Sequence, residues 1–210
     1  MEDVPVVSPV NAATLTYTSD TAYFAAAGPQ SLQNFDNPIS STATSVTYPD
    51  VTVSCSGSSL CNSSTFGTTS SVSITGLSIF FTSPSVVTFT FNSPIYSFGI
   101  YIAGLGTVLP GSTTFSISNS SGFSAALYTN YSGSTTSFDT PLFGGLISDA
   151  SFSSVSLMGT EIGDGIFLDN LYYSTAPTTP VPAALPVFAT GLGGLGLLGW
   201  RRKRKMQPIA

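Results

Sequence analysis

Large apolar residues alternate with threonine through Val87-Thr88-Phe89-Thr90-Phe91, and after Asn92-Ser93-Pro94 the alternation resumes at Tyr96, Phe98, Ile100 and Ile102. A period of two puts every second side chain on one face of an extended chain, so each run reads as a half-buried strand. The Asn-Ser-Pro break between the runs predicts two neighbouring antiparallel strands. Shorter runs of the same kind occur at Val51/Val53/Cys55, Val72/Ile74, Phe115/Ile117, Val155/Leu157 and Ile166–Tyr173. Turn-forming clusters separate them, among them Asn119-Ser120-Ser121-Gly122, Ser132-Gly133 and Gly163-Asp164-Gly165. No stretch before residue 183 carries a helical period, and the opening residues up to Gly28 favour neither element. Many short strands joined by polar turns predict an all-β fold, an antiparallel β-sandwich or jelly roll.

Composition supports strands over disorder. The 210-residue chain is rich in Ser, Thr and Gly, which a disordered chain shares, but 12% of its residues are aromatic, and disordered chains lack such groups. Helix formers are scarce, since charged residues make up only 7%. The pattern changes at Ser174. From there to Pro182 the sequence STAPTTPVP reads as an extended, exposed linker. Ala183 to Trp200 then holds no charged residue. Its length falls near the ~17–25 residues that span a bilayer, and its glycines and Pro186 are better tolerated in a membrane helix than in a soluble one. A buried core helix with a basic end is the plainer alternative. The expected organisation is an N-terminal segment over 1–27, a β-sandwich ectodomain over 28–174, a linker with a short motif over 175–182, a transmembrane helix over 183–200 and a basic cytoplasmic tail over 201–210.

Charge is divided in the same place. All five cations form one run, Arg201-Arg202-Lys203-Arg204-Lys205, and all ten acidic residues precede it, so residues 1–200 carry a formal charge of −10 without one Lys, Arg or His. A body without cations has nothing to hold phosphates, which excludes nucleic acid as a partner. Cations directly after an apolar span stay on the cytoplasmic side of a membrane, and Trp200 suits the interface.

The order Pro180-Val181-Pro182-Ala183-Ala184-Leu185-Pro186, then a Gly/Leu-rich stretch, then the Arg/Lys cluster, resembles the PEP-CTERM sorting signal. It is most similar to the variant reading Pro-Leu-Pro-Ala, with Val181 in the leucine's place. The resemblance covers about the last thirty residues. It implies an exported protein of a Gram-negative bacterium, anchored in the inner membrane as a precursor. An exosortase would process it at Pro180, Val181, Pro182 and Ala183 and deliver it to the cell surface or extracellular matrix. The body resembles the β-sandwich ectodomains that carry this signal, in Phe35-Asp36-Asn37-Pro38 (their opening strand), Asn92-Ser93-Pro94-Ile95-Tyr96-Ser97-Phe98-Gly99 (a central segment) and Leu168-Asp169-Asn170-Leu171 (their closing strand). Such proteins begin with a secretory signal peptide, which Met1-Glu2-Asp3 does not open; the expectation is a leader upstream of Met1.

Candidate chemistry is sparse. Without histidine there is no Ser-His-Asp or Cys-His arrangement. A carboxylate pair is the remaining catalytic option, with Glu161, Asp164 and Asp169 as candidates for glycoside hydrolysis; the plainer reading makes Glu161 and Asp164 solvated turn acids. The expectation is therefore a non-enzymatic structural or adhesive protein. The alternative is a carbohydrate-binding module for exopolysaccharide, with Tyr96, Tyr128 or Tyr131 as stacking platforms unless they serve the core. Asn62, Asn119 and Asn130 head N-glycosylation patterns that a Ser-rich chain produces by chance.

Cys55 and Cys61 are the only cysteines, and five residues separate them. In an oxidising compartment they are expected to form a disulfide; the alternative is one buried and one free thiol. Period two places Asp169 on a face with Phe167, Leu171 and Tyr173. If that face is buried, the carboxylate needs backbone N–H groups, a proton or an external cation, since the body has no basic residue. A structural calcium ion fits such hard oxygen ligands, and the resemblance implies Asp36 as its second carboxylate. In the opposite reading Asp169 caps a turn or faces solvent, and Asn170 and Tyr172 point inward.

Overall fold

The computed structural model describes residues 13–42, 44–57, 62–65, 77–108, 111–133 and 141–177. They form twelve strands and one short helix, all in the first of two compact units, Met1–Thr178. In chain order these are β1 (Thr14–Tyr17), α1 (Asp20–Ala27), β2 (Ser31–Gln33), β3 (Ser40–Ser41), β4 (Ser45–Thr47), β5 (Val51–Ser56), β6 (Asn62–Thr65), β7 (Leu77–Thr82), β8 (Val86–Ala103), β9 (Thr113–Asn119), β10 (Ser124–Tyr131), β11 (Leu142–Gly159) and β12 (Gly165–Ser174). The fold is all-β, and every strand pairing among the described residues is antiparallel.

Strands β8 and β11 organise everything else. Each is 18 residues long, and they pair along both ends, Val86–Thr90 with residues 154–158 and residues 97–102 with 142–147. The first half of β8 adds β5, β4 and β3 on one side, while the matching half of β11 adds β9 and β10 on the other. The second half of β8 pairs with β12, which carries β2 and β7, and the first half of β11 takes β1 as an edge strand. The two runs expected as neighbouring strands are therefore one continuous strand that never pairs with itself. Asn92-Ser93-Pro94 does not end it. These exposed residues lie where the inward parity shifts, from Val87, Phe89, Phe91 and Ile95 to Phe98, Ile100 and Ile102. The partner is irregular at the same level, between Ile147 and Ser154. Nine residues of straight strand span about 30 Å, yet the rings of Phe89 and Phe98 meet at 5.2 Å. The ribbon folds over, and its two halves close on one core that also takes Phe115, Ile117, Val155, Leu157, Ile166 and Leu168.

A second apolar cluster lies outside that core. Helix α1, which the sequence pattern did not announce, starts at Ser19, whose hydroxyl accepts the Ala22 N–H at 3.4 Å. The helix is too short for a period to show. Its Tyr23 is fully buried with Ala27, Phe143 and Ile147. The ring fits because the strand floor beneath it is glycine: a Cβ on Gly99 would stand 2.6 Å from Phe143 and 2.8 Å from Tyr23. Above it the Tyr23 hydroxyl donates to Gln30 at 2.8 Å, and Tyr101 donates to Asp20 at 2.9 Å. Residues 13–27 thus supply an edge strand and a packed helix.

The expected closing strand is present as β12, with a change of phase inside it. Ile166 and Leu168 face the core, and so do Leu171 and Tyr173, because a bulge intervenes between Asp169 and Tyr172. Asn170 takes φ 50 there, a left-handed conformation that asparagine accepts more readily than most residues. Phe35-Asp36-Asn37, expected as an opening strand, is a bend after β2; Phe35 at φ 61 turns its ring into the core against Tyr48, 5.1 Å away. Val72 and Ile74 lie outside the described residues, as do Cys61, the motif Pro180–Ala183, the apolar stretch 183–200 and the basic run Arg201–Lys205. Among the described residues no helix is long and apolar enough to cross a membrane.

Candidate functional site

The acidic residues singled out from sequence fall into two places. Glu161 and Asp164 sit in the turn between β11 and β12 and are buried, not solvated as expected. Their surroundings explain it. The Asp164 carboxylate accepts the Gly106 N–H at 2.6 Å, the Thr107 N–H at 3.3 Å and the Thr107 hydroxyl at 2.6 Å. The Glu161 carboxylate accepts the Thr113 hydroxyl, and its carbonyl accepts the Ser83 hydroxyl. Backbone bonds from Ser83 to Asp164 and from Gly163 to Ser83, each 3.0 Å, complete the clasp. Three segments distant in sequence, at Ser83, at Gly106-Thr107 and at Thr113, are pinned to one turn, and both carboxylates act as acceptors for the chain's own donors. Such charge-assisted bonds substitute for the missing basic partners.

Asp36 and Asp169 each lie near enough to Tyr48 for their charges to act on it. Pairing of β2 with residues 171–173 carries the following bend past the β12 bulge. There Asp36 accepts the Leu77 N–H at 2.9 Å and the Asn34 amide at 2.7 Å. Asp169 is fully buried and accepts the Asn170 N–H at 2.7 Å. The Tyr48 ring is buried, and its hydroxyl has no hydrogen-bond partner. Burial first, then the negative charges of Asp169 and Asp36, push its ionisation well above the ordinary phenol range. Neither orientation drawn from sequence holds as stated. Asp169 is buried, yet the bulge takes it out of step with Leu171 and Tyr173, while Phe167 pairs outside the core with Phe80 at 4.8 Å. Two carboxylates offer hard oxygens to a cation; among the described residues no third His, Cys, Asp or Glu joins them.

The three tyrosines named as candidate platforms, Tyr96, Tyr128 and Tyr131, are all half-buried. Tyr128 donates to the Phe143 carbonyl at 2.6 Å and meets Tyr131 edge-on at 5.5 Å, and both rings pack against the core. Asn119 is buried and its side-chain oxygen accepts the Ser121 and Phe123 N–H groups at 3.1 and 3.2 Å, so it builds the β9–β10 turn. Cys55 is half-buried at the end of β5, where it packs against the core.

No known protein family matches the chain, and no curated protein does. Among solved structures, the chain is similar to the enzymatically active domain of bacteriophage CBA120 tailspike protein 4, at 16% identity and a TM-score of 0.34 over 60% of this chain. It spans about a fifth of that protein's length, 19%.

Proposed function

We propose that this is an exported, non-enzymatic surface or matrix protein, whose jelly-roll β-sandwich is carried outward and released from a C-terminal PEP-CTERM signal by an exosortase. One observation carries the reading: 200 residues without a cation, then five cations in a row directly after an uncharged apolar stretch. That order is the charge pattern of a body moved across a membrane and a tail held back. The β-ribbon folded on its own apolar core supports an independently stable cargo. Its role is structural or adhesive. In this reading the helix over 183–200 anchors the precursor until cleavage near Pro182, and Cys55 and Cys61 close a disulfide after export.

Mass spectrometry of unreduced surface material tests both points. A mature C-terminus close to Pro182 and a mass lower by two hydrogens are expected, and deletion of residues 201–205 should leave the protein unsorted. An intact Trp200–Lys205 terminus on surface material would refute the sorting reading, and two free thiols the bridge.

A further inference from the structure

The bend of β8 does more than turn the ribbon. At that end of the fold Asn92 is tied to the β4–β5 turn, its N–H donating to the Asp50 carbonyl at 3.0 Å and its side-chain amide to the Pro49 carbonyl at 2.8 Å. Between this junction and the ends of β2 and β12 lies a cleft of about 240 Å3. Its floor is apolar: Phe91 and Tyr173, with ring centroids 5.2 Å apart and tilted by 48°. Its rim is polar, made by Asp50, Asn92, Ser93, Ser31 and Thr175. The Tyr173 hydroxyl donates to Asp50 Oδ2 at 2.8 Å, which fixes the carboxylate at the rim and occupies one of its oxygens.

We propose that this cleft binds one residue of a neutral sugar chain. An apolar floor with a rim of hydroxyl, amide and carboxylate groups complements a pyranose, which presents C–H groups on its faces and hydroxyls around its edge. A fixed carboxylate is a strong acceptor for sugar hydroxyls. Charge sets the class: residues 1–200 supply no Lys, Arg or His, so uronate, sulfate or phosphate groups would meet Asp50 with nothing to offset the repulsion. The volume admits a single ring, so affinity for a polymer comes from many copies displayed together. The inference deepens the polysaccharide-binding reading and moves it from the sheet tyrosines to the end of the fold. It does not depend on the tail, so failed sugar binding leaves the sorting experiment untouched.

The test is calorimetric titration of the full chain in a zwitterionic detergent without sugar groups. Neutral oligomers of glucose, galactose and N-acetylglucosamine are the probes, with oligogalacturonate as the charged comparison. At least one neutral oligomer should bind, with oligogalacturonate binding at least tenfold more weakly to the chain lacking residues 201–205, whose five cations would otherwise hold the polyanion themselves. Asp50→Asn should weaken binding at least tenfold. Ser93→Trp, placed at an exposed rim position, should abolish it with the melting temperature unchanged. Absence of binding by every neutral probe overturns the proposal. So does binding that survives both substitutions and is lost in Tyr131→Ala, which returns recognition to the sheet face.

Discussion

At the level of single residues, the fold leans on a few positions where backbone and side chain must agree. Asn170 is one. Its φ of 50 makes the bulge that brings Leu171 and Tyr173 back to the core after Ile166 and Leu168. A β-branched residue resists that conformation by about 1–2 kcal/mol, whereas glycine adopts it freely. Asn170→Val is therefore expected to lower stability by that amount and Asn170→Gly to leave it nearly unchanged, as read from urea midpoints. Equal losses in both variants would mean that the asparagine side chain, and not its backbone angle, matters there. Gly99 makes a different demand, for space under Tyr23 rather than for a special φ. Neither requirement shows in composition, and an Asp-Asn pair in a strand pattern gives no sign of which residue will bulge.

Between elements, tyrosine hydroxyls do the work that ion pairs do elsewhere. Tyr101 ties β8 to Asp20 on α1, Tyr128 ties β10 to the β11 backbone, and Tyr173 ties β12 to Asp50 in the β4–β5 turn. Burial first, and then carboxylate neighbours for Tyr101 and Tyr173, push all three up to about 12 from an ordinary value of 10.0. The unfolded chain loses these protons at lower pH than the folded one. Their contribution is thus fully present below pH 10 and fades as pH rises towards 12. Urea midpoints should stay level up to about pH 10 and fall between there and pH 12. Tyr128→Phe, which cannot ionise, should make the fall shallower. A midpoint that holds constant to pH 12 would contradict this assignment.

Across the whole molecule, a body with a charge of −10 and no cation has two ways to keep acids inside. One is to spend backbone donors on them, as the turn around Glu161 and Asp164 does. The other is to import a cation, for which Asp36 and Asp169 beside Tyr48 are the candidates. If calcium binds there, it should raise the melting temperature more than magnesium at equal ionic strength, and chelator should reverse the rise. Asp36→Asn and Asp169→Asn should each lose the calcium-specific part but keep the general salt effect, since screening relieves repulsion over the entire body. Identical melting in calcium and in chelator at matched ionic strength would remove the ion.

The sequence alone determined the all-β class, five of the twelve strands among the described residues and several turns, because alternation and turn residues are local signals. The runs at Val51, Phe115, Val155 and Ile166 became β5, β9, β11 and β12, and Asn119–Gly122 became the β9–β10 turn. Charge and composition along the chain likewise mark off the tail without reference to any fold. Tertiary structure decided the rest. Whether Asn92-Ser93-Pro94 ends a strand or bends it depends on a partner some fifty residues away that is irregular at the same level. Whether Glu161 and Asp164 meet water depends on donors from Ser83, Gly106, Thr107 and Thr113. A period of two tells that a chain is extended and which residues share a face. It carries no information about where an extra residue enters, or about which distant groups arrive to satisfy a buried charge, since those follow from packing between segments that the sequence holds far apart.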